Sequence, residues 1–370
     1  MSTTTERATY IWYDQTGEGL NRYALFRRGF DLAEQPESAP LHLFADERYR
    51  LLVNGQIVCH GPARFKLSHP EYDTVDIARF LQPGRNAIAA MVCAYGERTF
   101  ISDLSHGGFI AWGSIGDGDG NTLDLSTGPQ WKALRSPGHL ETGEKMSFAI
   151  GLPELLDARE LPADWASADF NDSDWPAAVA LADQAHWGAL RRRSIPMLDE
   201  SSVSVRESLG MWTVDGGEET GDATSAFEAN RDLVARSKVC DEAVFPCELP
   251  GTDAEAVSLV FTFARGEVLG RPVLDITAPA GTVVDLLYTE RLDEAGRPIH
   301  GYQNTRMGER LICRDGRQTW HAMHPRGFVY LEVVIRGATD NVTLHGVHLT
   351  RAAYPVEHVG SFQCSDPLLG

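Results

Sequence analysis

Short runs of apolar or alternating residues, each about 4–8 long, recur along most of the 370-residue chain. Glycine, proline, asparagine and aspartate separate these runs. The dipeptide Asn54-Gly55 between two such runs predicts a hairpin, because both central positions of a type I′ turn need positive φ. This pattern predicts an all-β fold with few short helices. The predicted strands are residues 41–45, 49–53, 87–92, 109–112, 259–264, 273–277, 283–288, 328–335 and 342–347, and the candidate helices are 74–80 and 152–156.

The length exceeds what one hydrophobic core usually supports, so two domains are expected. Strand patterns are weaker over residues 157–200, and we place the boundary near residue 200. The eight tryptophans are expected to anchor the cores, since a buried indole is the usual outcome at strand positions. The triple Arg191-Arg192-Arg193 in this region is interpreted either as a contact between domains or as a solvated linker.

Charge and composition exclude several classes of protein. The formal net charge of −19 repels phosphate backbones and anionic membrane surfaces, so no nucleic-acid or membrane partner is expected. No run of about 18 apolar residues occurs. The polar start lacks the pattern of a secretory signal, which favours a cytoplasmic location. The six scattered cysteines contain no CxxC pair and are interpreted as free and mostly buried, with a Cys240–Cys247 bridge as the alternative.

Several motifs follow one another in a fixed order along the chain. In the first half they are FRRGF (26–30), ADERYRLLVNG (45–55), GPAR (61–64), YDTVD (72–76), LQPGRNAIA (81–89), the Trp131 strand and FNDSDW (170–175). The second half has PAGTVVD (279–285), YTERL (288–292), PRGFVYLEV (325–333) and VEHVGSFQCSDPLL (356–369). In this order they resemble the α-L-rhamnosidases of glycoside hydrolase family 78, over nearly the whole chain.

The resemblance implies two β-sandwich domains of the galactose-binding-like, jelly-roll type. Residues 1–200 would form the N-terminal sandwich, 201–355 the second sandwich, and 356–370 the lead-in to an (α/α)6 catalytic barrel. In such a parent protein the barrel, absent from this chain, would cleave terminal α-L-rhamnosides by an inverting mechanism. The chain itself would then be a non-catalytic accessory region that binds carbohydrate or positions the barrel.

Two other functions are weighed against this one. A free-standing carbohydrate-binding module would need a preformed site on a sandwich. A complete enzyme would need clustered carboxylates or metal ligands. The acidic hairpin with Glu290, Asp293 and Glu294 is better explained as solvated, and His321 and His324 lack a third ligand nearby in sequence. We therefore assign no catalytic residue.

Two groups of residues are candidate ligand contacts. Tyr95, Arg98, Asp103 and His106 follow a predicted strand and combine an aromatic face with polar side chains, as sugar binding requires. Core packing of Tyr95 and a surface ion pair at Arg98 are the alternatives. No cofactor is required. Asp117, Asp119 and Asn121 resemble the front of a calcium loop and suit a structural calcium ion, although turn chemistry explains the same residues.

Overall fold

The computed structural model describes residues 8–116, 122–215, 226–230, 233–249, 256–357, 359–366 and 368. Over these residues the regular structure is almost entirely β, so the all-β prediction is confirmed. Short 3-10 turns at Ala78–Phe80, Glu228–Asn230 and Tyr302–Asn304 are the helical segments of the described part. The strands form four sheets, which pair into two sandwiches.

The first sandwich packs a seven-stranded sheet A against a five-stranded sheet B. Sheet A has the order β12-β1-β8-β3-β6-β13, with β9 on β8, and sheet B has the order β10-β2-β7-β4-β5 in the strand numbering that follows. These strands are β1 Ile11–Trp12, β2 Arg22–Leu32, β3 Pro40–Asp46, β4 Arg48–Val53, β5 Gln56–Gly61, β6 Glu71–Asp76, β7 Gly84–Ala94, β8 Gly108–Gly116, β9 Thr122–Asp124, β10 Lys132–Arg135, β12 Val179–Ala180 and β13 Arg191–Arg192.

The second sandwich packs a seven-stranded sheet C against a six-stranded sheet D. Sheet C has the order β11-β21-β20-β24-β18-β15-β16, and sheet D has the order β14-β25-β19-β22, with β17 on β25 and β23 on β19. These strands are β11 Leu155–Asp157, β14 Ser202–Ser204, β15 Glu207–Val214, β16 Ala235–Cys240, β17 Cys247–Leu249, β18 Ala256–Thr262, β19 Val268–Ala278, β20 Val283–Thr289, β21 Gly308–Ile312, β22 Gly316–His321, β23 Arg326–Phe328, β24 Tyr330–Arg336 and β25 Val342–Arg351.

The two helix predictions were wrong. Residues 74–80 form the end of β6 followed by a 3-10 turn, and residues 152–156 lead into β11. Strand β11 pairs in parallel with β21, so a segment before residue 200 contributes to sheet C. A run of a few apolar residues has no periodicity that separates a buried strand from a helix, and tertiary pairing decided this one.

The Asn54-Gly55 hairpin is confirmed. Both residues have positive φ, 52° and 80°, and they join β4 to β5. The Asn54 amide also donates to the carbonyl of Phe80 at 2.9 Å, while its Oδ1 accepts the backbone N–H of Ala87 at 2.8 Å. The turn residue therefore also ties the hairpin to its neighbouring loop and to strand β7.

Buried apolar side chains fill both sandwiches. All eight tryptophans are buried, as predicted. The cysteines are all free, with Cys59, Cys93 and Cys313 buried, and Cys240 and Cys247 do not form a bridge. The arginine triple lies at the edge of sheet A, where Arg193 pairs with the carboxylate of Asp73 at 2.8 Å. That ion pair lies within the first sandwich.

Buried polar side chains connect the two sandwiches. The Arg50 guanidinium of β4 donates to Nε2 of His60 at 3.1 Å, and Nδ1 of His60 lies 3.0 Å from a carboxylate oxygen of Glu200. The same Glu200 oxygen pairs at 3.3 Å with Arg271 of β19, so this chain of contacts runs from sheet B to sheet D. Each of these groups therefore has a polar partner, as buried polar groups usually do.

A second set of contacts crosses the same junction at His324. Its Nε2 lies 2.9 Å from the Tyr23 hydroxyl and its Nδ1 lies 3.3 Å from the Tyr95 hydroxyl. Burial, together with the positive charges of neighbouring arginines, lowers the pKa of His324 well below its usual value. From the loop after β22, the neutral ring therefore bonds Tyr23 of sheet B and Tyr95, which directly follows β7.

Candidate functional site

A cavity of about 540 Å³ lies between the two sandwiches, and we call it the inter-sandwich cavity. Its volume is within the range of small-molecule sites. One wall comes from the β3–β4 connection, the segment after β5 and the loop at residues 101–103. The opposite wall comes from sheet D and the segment after β25, through Leu269, Arg271, Met323, Pro325, Ala352, Ala353 and Tyr354.

Two consecutive carboxylates, Asp46 and Glu47, lie at the end of β3 on the first wall. The Asp46 carboxylate is buried and accepts hydrogen bonds from the Ser105 hydroxyl and, at 2.7 Å, from the Trp187 indole N–H. Desolvation raises the pKa of Asp46 to about 6, although these two hydrogen bonds oppose the shift. Asp46 is therefore mostly ionised at pH 7 and is held rigidly by its donors.

Glu47 differs from its neighbour in its partners. Its side chain is 11% exposed, and the Arg48 guanidinium is 3.9 Å from its carboxylate. Desolvation raises the pKa of Glu47 to about 7; Arg48 opposes this shift and the charge of Asp46 adds to it. A carboxyl group that is half protonated near neutral pH can both donate and accept a hydrogen bond inside a cavity.

Cationic and aromatic groups complete the lining. The pKa of Arg271 is lowered to about 10 by desolvation, with Glu200 opposing the change, and the guanidinium also donates to the carbonyl of Met323 at 3.3 Å. Arg271 thus remains charged at neutral pH. Tyr354 lies at the mouth, with 45% of its surface exposed. The cavity therefore offers charged hydrogen-bonding groups beside an accessible aromatic ring.

The four predicted sugar-contacting residues lie in different places. Asp103 lines the inter-sandwich cavity and pairs with Lys66 at 3.2 Å. Tyr95 is only 1% exposed and packs in the core, as its alternative interpretation held, because β7 continues to Ala94 and directs its ring inward. Arg98 is exposed and is not part of the cavity wall, and His106 lies beside His186 instead.

The other candidate residues are placed as follows. Asp117, Asp119 and Asn121 lie outside the described residues. Glu290, Asp293 and Glu294 are exposed, in agreement with a solvated hairpin. Within the described part of the chain, neither His321 nor His324 belongs to a group of three potential metal ligands.

Sequence reasoning missed Asp46 and Glu47 as site residues. Both occur in a motif that was used for the family resemblance, but nothing in their spacing points to a ligand. The available signal was a pair of consecutive acidic residues between two apolar strands, since burying a charge costs free energy unless the charge has a partner. Only the packing of Ser102, Ser105 and the second sandwich around them reveals a cavity.

Residues 34–198 match the sequence family described as the α-L-rhamnosidase N-terminal domain. This segment is similar to α-L-rhamnosidase N-terminal domains. The resemblance to the N-terminal region of family 78 rhamnosidases is thereby confirmed. An α-L-rhamnosidase of Formosa agariphila is 20% identical over 372 residues, covering 93% of this chain and 33% of that protein. An α-L-rhamnosidase of Streptomyces avermitilis is 29% identical over 127 residues, covering 30% of this chain and 11% of that protein.

Solved structures agree with the rhamnosidase domain assignment at the level of the fold. The family 78 rhamnosidase of Bacillus sp. GL1 superposes with a TM-score of 0.79 at 23% identity, over 98% of this chain and 56% of that chain. The α-L-rhamnosidase of Aspergillus terreus superposes with a TM-score of 0.66 at 19% identity, over 98% of this chain and 38% of that chain. This chain thus spans about a third of the Formosa relative and about half of the Bacillus enzyme. Among the described residues, no helix is long and apolar enough to cross a membrane.

Proposed function

We propose that this chain is the non-catalytic front part of an α-L-rhamnosidase-like glycoside hydrolase. The observation that carries the proposal is that both sandwiches together, 98% of this chain, align with only 56% of the Bacillus enzyme. In the proposed parent protein, a C-terminal (α/α)6 barrel cleaves terminal α-L-rhamnosides by inversion. The two sandwiches hold that barrel and help to shape its substrate cleft.

The geometry of the carboxylates favours catalysis outside the two sandwiches. Inversion needs a general acid and a general base about 6.5–9.5 Å apart, with a water and the sugar between them. Asp46 is buried and already accepts hydrogen bonds from Ser105 and Trp187. It therefore cannot approach an anomeric carbon, and Asp103, the further carboxylate of the lining, is paired with Lys66 at 3.2 Å.

The segment after β25 supports the proposed contact with a further domain. Its apolar side chains, Val356, Val359, Phe362 and Leu368, are exposed. Leu369, next to the exposed Leu368, lies outside the described residues. Exposed apolar groups along one segment are typical of a surface that packs on a partner.

Two measurements test this assignment. Reading the encoding frame beyond residue 370 should find roughly 400–600 further residues with helical periodicity and inward-facing glutamates. The isolated chain should show no hydrolysis of an aryl α-L-rhamnoside above the buffer rate. A stop codon directly after residue 370, or turnover that Glu47→Gln abolishes, would overturn the proposal.

A second function, carbohydrate binding by the inter-sandwich cavity, is favoured by its lining. Tyr354 presents an aromatic face at the mouth, and Arg271, Glu47 and Asp103 present charged groups on the walls. Such a combination suits a sugar ring, since the C–H face packs on the aromatic group and the hydroxyls bond the charged groups. This function is compatible with an accessory role and also with a free-standing module.

Calorimetry with L-rhamnose and methyl α-L-rhamnoside tests cavity binding. Tyr354→Ala should weaken binding at least about tenfold, since it removes the exposed aromatic surface on which the sugar packs. Ala353→Trp, at an exposed position of the lining, should block the mouth. Ala295→Trp is the matched control, because Ala295 is exposed and lies outside the lining. Equal affinity in all of these proteins, or no binding by the wild type, would rule out this function.

A further inference from the structure

Three potential metal ligands meet outside the inter-sandwich cavity, at the edge of the first sandwich. One ligand atom each from His106, Asp183 and His186 lies within 4.8 Å of the others. The two imidazole rings are 4.1 Å apart between centroids. Both histidines are half-buried, whereas Asp183 is exposed, so solvent and ions have access to the group from one side.

The hydrogen bonding of His106 determines which of its ring nitrogens is available. Its Nδ1 lies 3.1 Å from the carbonyl oxygen of Gly107. A carbonyl oxygen only accepts, so Nδ1 carries the proton in the neutral ring. The lone pair of His106 is therefore on Nε2, which has no protein partner among the hydrogen bonds of the described residues.

The same reasoning assigns the other imidazole. Nε2 of His186 lies 2.9 Å from the Ser105 hydroxyl oxygen, and that hydroxyl donates its single proton to Asp46. Nε2 of His186 must then be the donor in its contact with Ser105, which leaves the lone pair on Nδ1. A histidine that ligates a metal usually donates its other N–H to such an oxygen, and this bond orients the ring.

The segment that carries Asp183 and His186 is itself held in place. The Gln184 side chain accepts from the backbone N–H of Tyr10 at 2.9 Å and donates to its carbonyl at 3.1 Å. Trp187, next to His186, donates to Asp46 at 2.7 Å. Two ligands on a segment fixed at both ends lose little conformational freedom when they bind an ion.

We propose that His106 Nε2, His186 Nδ1 and a carboxylate oxygen of Asp183 bind one divalent transition-metal ion, with Zn²⁺ as the best match. Imidazole and carboxylate ligands suit zinc, and a site of three protein ligands keeps a fourth position for water. The outer hydrogen bonds run from His186 through Ser105 to Asp46, a residue of the inter-sandwich cavity wall. The proposed ion is therefore coupled to that wall through a buried carboxylate.

Titration of the chelator-treated chain with ZnCl2 tests the site by calorimetry. One equivalent of Zn²⁺ should bind to the wild type. His106→Ala, His186→Ala and Asp183→Asn should each weaken binding at least about tenfold, and Ser105→Ala about 10–100-fold through the lost outer hydrogen bond. His69→Ala is the matched control, because His69 is exposed and outside the group. If His186→Ala fails to fold, the exposed Asp183→Asn variant still carries the test.

Nitrogen NMR of the histidine rings gives a second, independent readout. Zn²⁺ should shift Nε2 of His106 and Nδ1 of His186, and the other two ring nitrogens should keep their protons. Absence of one-equivalent binding in the wild type, unchanged affinity in Asp183→Asn, or ligation through His106 Nδ1 or His186 Nε2 would overturn the proposal.

Discussion

Replacing Arg326 by methionine is expected to lower the free energy of unfolding by about 3–5 kcal/mol. The Arg326 and Glu309 side chains are only 4% and 0% exposed, and they pair at 2.6 Å. Arg326 also donates to the carbonyl of Leu152 at 3.3 Å. The variant leaves the Glu309 carboxylate buried with the Tyr288 hydroxyl as its one side-chain partner among the described residues, and burial already raises its pKa. Chemical denaturation at pH 8 measures the loss.

Two further variants make the interpretation specific. Arg317→Met removes an ion pair to Asp275, but its side chain is 63% exposed, so the loss should be below about 1 kcal/mol. Adding Glu309→Gln to Arg326→Met removes the stranded charge and should restore part of the stability. Similar losses for Arg326→Met and Arg317→Met would contradict this account of the buried ion pair.

Replacing Glu47 by glutamine is expected to stabilise the chain at pH 8 by about 2–4 kcal/mol and to have little effect at pH 4. The folded-state pKa of Glu47 is about 7, whereas the unfolded value is near 4.5. Between these values the folded chain binds more protons than the unfolded chain, so stability falls as pH rises. Above about pH 7 both states are ionised and the full loss is reached.

The measurement is the difference between variant and wild type at each pH, by urea denaturation. The difference should grow from about pH 4.5 to 7 and then stay constant. The pKa of Asp46 is also raised, but Asp46 is present in both proteins. Its contribution to the pH dependence therefore largely cancels in the difference between variant and wild type. Glu294→Gln, in the exposed hairpin, should change the free energy of unfolding by less than about 0.5 kcal/mol at both pH 4 and pH 8. A difference that is constant with pH would contradict a raised pKa at Glu47.

Local chemistry explains why much of the fold could be predicted. The Asn54-Gly55 turn depends on two positive φ angles that few residue pairs adopt, so it is visible in sequence. The alternating strands of both sandwiches and the burial of all tryptophans follow from the same local patterns. The helix prediction for residues 152–156 was wrong because a short apolar run has the same pattern in a strand and in a helix.

The candidate sites depend on contacts between residues that are far apart in the chain. Tyr95 and Asp103 are close in sequence, yet one packs in the core and the other lines a cavity. His106 and His186 are 80 positions apart, and nothing in their spacing predicts that their rings lie 4.1 Å apart.

The sequence by itself determined the all-β class, the hairpin, the apolar cores and the resemblance to the rhamnosidase N-terminal region, because periodicity, turn chemistry and motif order are properties of neighbouring residues. The tertiary structure alone decided that Glu47 lies in a cavity between two sandwiches and that His106 meets His186. Burial and distance arise when sheets pack on one another, and the pKa of a carboxyl group or the ligand set of a metal depends on that packing.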